Sequence, residues 1–96
     1  MLSEQELAEK LRQIKPTLER QFAVSQLGYF GSYSTGEANE ESDVDILVDF
    51  NQPVGWEFFR VQDVLEASIG KRVDLITPRA IKPQLKQKIF QQLKLV

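Results

Sequence analysis

The eight residues Asp43-Val44-Asp45-Ile46-Leu47-Val48-Asp49-Phe50 constrain this chain more than any others. Apolar and acidic residues nearly alternate there, a period of two that suits a β-strand and not a helix. Val44, Ile46, Val48 and Phe50 fall on one face, and Asp43, Asp45, Leu47 and Asp49 on the other. The apolar face has to be covered, so the strand belongs to a layered structure. The acidic face sets a second problem. Residues i and i+2 of a strand point the same way, ~6–7 Å apart along the chain, so Asp43 and Asp45 repel each other. The core is built from the opposite face and gives no reason for them.

The remaining elements follow from periodicity and punctuation. Ser3 and Glu6 form a capping box, and Leu7, Leu11, Ile14 and Leu18 make one helical face behind it. Pro16 is expected to kink or split that helix. Residues 24–30, VSQLGYF, read as a strand, and Gly31 to Ser42 as a polar loop or short helical turn. After a turn at Pro53 and Gly55, a helix places Phe58, Val61, Leu65 and Ile69 on one face and stops at Gly70. Residues 72–77, RVDLIT, are a short strand ended by Pro78. Pro83 suits the first turn of a last helix with Leu85, Ile89 and Leu93 inward. With 96 residues and 42% hydrophobic content this is expected to be one domain. The expected class is α/β (or α+β), a small mixed sheet packed with helices.

Composition then removes chemistries. There is no cysteine and no histidine, which excludes disulfides, thiolate or imidazole zinc sites, and Ser-His-Asp triads. Catalysis would have to rest on carboxylates, hydroxyls, Lys and Arg, or a metal held by oxygen. A net charge of −2 argues against a general nucleic-acid binder. No apolar run approaches the ~18 residues of a membrane span, and the polar, acidic start is unlike a signal peptide. The cytoplasm is the expected compartment. The charge is unevenly spread: residues 37–66 hold nine acids and one base, residues 71–96 seven bases and one acid, Asp74. These are either two solvated surfaces or two sides of a polar site.

Several residues fit a phosphate and metal site. Gly31-Ser32 follows a strand, where glycine allows close backbone approach and Ser32 offers a hydroxyl. Asp43 and Asp45 would resolve their repulsion by binding a hard dication such as Mg²⁺. Asp49 shares their face but lies ~13 Å along the strand from Asp45, too far for paired metals ~4 Å apart. Asp74 fits better, if strand 72–77 lies beside strand 43–50. Each part has an ordinary explanation when taken alone. Gly-Ser is a common turn, D-x-D at a strand start faces water, and Asp74 would pair with Lys71, Arg72 or Arg79. An EF-hand is excluded, because the glycine and the bidentate Glu are not at the required positions.

Taken together, Gly31-Ser32-Tyr33-Ser34-Thr35-Gly36, then Ser42-Asp43-Val44-Asp45-Ile46-Leu47-Val48, then Val73-Asp74-Leu75 and Thr77-Pro78-Arg79-Ala80 resemble the polymerase-β-like nucleotidyltransferase superfamily. The short length resembles its minimal nucleotidyltransferases, the MNT antitoxins encoded beside HEPN-domain toxins. The resemblance implies the polymerase-β-like fold. It implies AMP transfer from ATP to a hydroxyl, a tyrosine of the cognate HEPN ribonuclease toxin, with two Mg²⁺ ions. It assigns Asp43, Asp45 and Asp74 to catalysis and metal binding, and Gly31, Ser32 and Ser42 to nucleotide binding. The implied partners are the toxin and a nucleoside triphosphate, with no direct nucleic acid and no membrane. Ser34-Thr35 stands where many members carry Ala-Arg, which puts a phosphate or acceptor contact in question. Two other functions stay open here: a non-catalytic antitoxin that masks the toxin by binding, and a nucleotidyltransferase acting on a small molecule.

Overall fold

The computed structural model describes residues 1–96. Helix α1 spans Glu4–Phe22, strand β1 Val24–Phe30, helix α2 Ser32–Thr35 and strand β2 Val44–Phe50. Helix α3 spans Glu57–Ile69, strand β3 Val73–Ile76, helix α4 Pro83–Gln92 and strand β4 Lys94–Leu95. A 3₁₀ turn at Pro78–Ala80 separates β3 from α4. The sheet runs β3-β2-β1-β4, with β2 parallel to β3 and antiparallel to β1. This is the mixed sheet with helices that the pattern predicts.

Local rules account for the elements. Ser3 caps α1: its side chain accepts from the Glu6 N–H, and the Glu6 carboxylate accepts from the Ser3 N–H, both at 3.0 Å. Leu7, Leu11 and Leu18 are fully buried from this helix. They pack with Val61 and Leu65 of α3 and with Leu27, Val44, Ile46 and Val48 of the sheet. One helical layer thus covers the apolar face of β2. Gly70 closes α3 in a left-handed conformation, φ 78°, as its position in the sequence predicts.

Four expectations need correction or addition. Pro16 does not split α1, which runs unbroken from Glu4 to Phe22. A proline deletes one main-chain hydrogen bond, and the buried leucines on both sides hold the helix together. Leu85 is not inward: it is 44% exposed, and α4 buries none of its residues. β4 was not anticipated, because two residues carry no period. Leu47, on the acidic face of β2, is buried outside the main core cluster. The turn at Pro78–Ala80 packs against β2, and Ile81 just after it is buried as well. The second sheet face is therefore partly roofed, and its open part begins at Asp45. No helix is long and apolar enough to cross a membrane.

Candidate active site

The sheet register builds the site. In the parallel β2–β3 pair, Asp45 lies opposite Asp74. Opposed residues share a face, so both carboxylates leave the sheet on the same side. Asp43 immediately precedes β2 and is exposed. None of the three enters either of the molecule's ion pairs, Arg12–Glu9 and Lys94–Glu4. The ordinary explanation of Asp74, a partner among Lys71, Arg72 and Arg79, is therefore absent. Burial pushes the Asp45 carboxyl up to about 6, and the charges of Asp74 and then Asp43 push in the same direction. A cluster with this property sits in the structure at an energetic cost.

Gly31 packs directly against Asp45. It joins β1 to α2 with φ 72° and ψ −148°, a region open in practice only to glycine. A Cβ built there would lie 2.2 Å from Asp45 Oδ2. The absence of a side chain is what lets the turn and the carboxylate coexist. Ser32 opens α2 directly after it and is half-buried. The Gly31 carbonyl accepts from the Ser34 and Thr35 N–H groups, and its N–H donates to Gln92 Oε1 at 3.2 Å.

Ser42, next to Asp43, and Asp49 make hydrogen bonds of their own. The Ser42 hydroxyl accepts from the Asn39 N–H at 2.9 Å, and its N–H donates to the Asn39 carbonyl, so it closes the turn before β2. Asp49 pairs across to Gln26, and its Oδ1 accepts from the Phe50 N–H, well along the strand from Asp45. Gln92 was missed by sequence reading. It reaches Gly31 across 61 positions, and no local pattern signals that.

The strand that carries Asp74 is pinned from α3. Gln62 Nε2 donates to the Val73 carbonyl at 2.8 Å, and Glu66 Oε2 accepts from the Val73 N–H at 2.9 Å. Side chains thus satisfy both main-chain groups of Val73 on the free edge of β3.

No three acidic side chains close into a coordination shell. The donor set nonetheless fits a hard divalent cation: two or three carboxylates on adjacent strands, unpaired and mutually repelling.

A model of the nucleotidyltransferase domain matches residues 11–96. The chain belongs to that family. The nucleotidyltransferase MntA of Thermococcus cleftensis, a protein adenylyltransferase, is 40% identical over 93 residues, covering 96% of this chain and 94% of its own. A solved structure assigned as a minimal nucleotidyltransferase superposes with a TM-score of 0.83 at 26% identity, covering 97% of this chain and 95% of that one. A solved toxin–antitoxin structure with AMP-PNP superposes with a TM-score of 0.69 at 25% identity, covering 98% of this chain and 72% of that one. The fold is therefore that of the minimal nucleotidyltransferases.

Proposed function

We propose that this nucleotidyltransferase domain is an antitoxin that transfers AMP from ATP to a tyrosine hydroxyl of a HEPN-domain ribonuclease toxin and so silences it. The observation that carries this reading is the in-register pair Asp45 and Asp74, free of ion pairs and set against the glycine-only turn at Gly31. The likeness to a protein adenylyltransferase over nearly the whole length supports a protein acceptor. The likeness to a toxin–antitoxin structure with AMP-PNP supports both the donor and the partner. Residues 1–96 act as one domain, and the acceptor arrives on the other molecule.

Asp43, Asp45 and Asp74 would hold two Mg²⁺ ions. Bound there, Mg²⁺ offsets the triphosphate charge and lowers the pKa of the incoming hydroxyl. The chain's own groups do the rest by position and charge. The Gly31 turn, which admits no side chain beside Asp45, leads into α2 facing the β- and γ-phosphates, and the Ser32 hydroxyl donates to them. Ser42 fixes the turn that presents Asp43. Asp74 accepts the hydroxyl proton. The tyrosine oxygen then bonds to the α-phosphorus, the bond from that phosphorus to the bridging oxygen breaks, and pyrophosphate leaves with the electron pair.

The test is mass spectrometry of the HEPN protein after incubation with this chain, ATP and Mg²⁺. A gain of one or more AMP units is expected, and none with Asp45→Asn. A toxin that is inhibited at unchanged mass would make this chain a masking antitoxin without catalysis.

A further inference from the structure

Gly31 is held from both sides. On one side lies Asp45, whose Oδ2 occupies the space of a glycine side chain. On the other lies Gln92, the last residue of α4, whose Oε1 accepts the Gly31 N–H. Such a turn needs tethers. The Gly31 carbonyl is fixed by the Ser34 and Thr35 N–H groups, so Gln92 restrains the other peptide, Phe30–Gly31, whose rotation about a glycine would swing α2 and its N–H groups relative to β1.

Gln92 is itself anchored. β4, two residues on, pairs with β1, with Gly28 opposite Leu95 and Tyr29 opposite Lys94. The Val96 N–H donates to the Leu27 carbonyl, and Lys15 Nζ donates to the Val96 carbonyl at 2.7 Å. Lys94 Nζ and the Tyr29 hydroxyl both donate to Glu4 Oε2 at 2.6 Å. Gly28 admits this close approach, since a Cβ there would meet the Lys94 carbonyl oxygen at 2.8 Å. Segment 92–96 is thus a strap fastened to β1, the strand that ends at the nucleotide turn.

We propose that Gln92 is a positioning residue for nucleotide binding: it fixes the Gly31 peptide so that the turn is preset for the triphosphate. The proposal rests on the reading that this turn binds the nucleotide. The Gln92 side chain acts through the Gly31 N–H. If losing this bond leaves the turn in its binding geometry about one fifth of the time, the apparent Kd rises about five-fold.

The test measures the Kd of AMP-PNP with Mg²⁺, together with the melting temperature, for five proteins. These are wild type, Gln92→Ala, Gln92→Asn, Gln91→Ala and Ser32→Ala. Gln92→Ala should raise Kd about five-fold, beyond the few-degree loss of melting temperature that losing one part-buried hydrogen bond brings by itself. Gln92→Asn should match it, because an amide one methylene shorter does not reach Gly31. Gln91→Ala, an exposed neighbour, should bind as wild type. A purely structural role would lower the melting temperature and leave Kd unchanged, which overturns the proposal. So would an equal loss in Gln91→Ala. If Ser32→Ala weakens binding and Gln92→Ala does not, the inference fails and the functional reading stands. If wild type binds no AMP-PNP, both fail.

Discussion

At the scale of single residues, Asp45 is held in an environment that disfavours its charge. Its carboxyl is raised from 3.8 to about 6 by burial, with Asp74 and Asp43 adding to the effect. The folded state therefore holds this proton more tightly than the unfolded chain does. Stability from this group is full below about pH 4, falls as pH rises toward about 6, and is flat above. In metal-free buffer, Asp45→Asn should equal wild type near pH 4 and exceed it at pH 7–8. The gain should be about 1 kcal/mol, discounted because the group is only partly buried. Denaturant melts of both proteins across this range check it. A mutant less stable at pH 8 would show that Asp45 is favourably partnered. With Mg²⁺ and AMP-PNP the order should reverse, since only wild type gains ligand stabilisation. The acidic pair was legible because strand parity alone puts Asp43 and Asp45 together. Asp74 was legible as an acid flanked by inward Val73 and Leu75. Gln92 was not, because its partner is fixed by tertiary packing rather than by any local pattern.

At the scale of elements, sequence and structure agree where one face is buried and disagree where it is not. α1, β1, β2 and α3 each contribute fully buried side chains to one core, so they are readable from the sequence even though Leu47 breaks the alternation of β2 and a bulge between Val24 and Gln26 breaks that of β1. α4 contributes none, and its apolar residues carry a weak period that is easily misread: Leu85 and Phe90 are both largely exposed. β3 is different again. It is only four residues long and lies at an edge, yet it carries Asp74. Its position depends on side chains of α3. Glu66→Ala removes the acceptor of the Val73 N–H and should cost about 1 kcal/mol. Asp63→Ala, exposed on the same helix, should cost nothing measurable. Chemical denaturation of the two variants separates them. Equal stabilities would mean that water serves the Val73 N–H as well as Glu66 does.

At the scale of the whole molecule, the uneven charge acquires a direction. The acidic middle of the chain supplies Asp43 and Asp45, and the basic segment that follows Asp74 begins with Arg79 and Lys82. Both are exposed and take part in no ion pair, so their charge is available to an approaching anion. Arg79 lies in the turn that packs against β2, and Lys82 caps α4 just beyond it. On the proposed reading, a triphosphate approaching the three carboxylates meets repulsion first, and the cations of this segment counter it at long range. Such steering is screened by salt, with a Debye length of ~10 Å at 0.1 M. Replacing Arg79 and Lys82 together by Ala should slow AMP transfer roughly ten-fold at low ionic strength and much less at high. Replacing both by Glu should be worse than Ala at low salt, because repulsion is added to lost attraction. All three proteins should keep the same melting temperature, since neither side chain is packed. Transfer rates measured over a salt series decide the matter. Rates that stay equal at every ionic strength would reduce the basic end to a solvated surface.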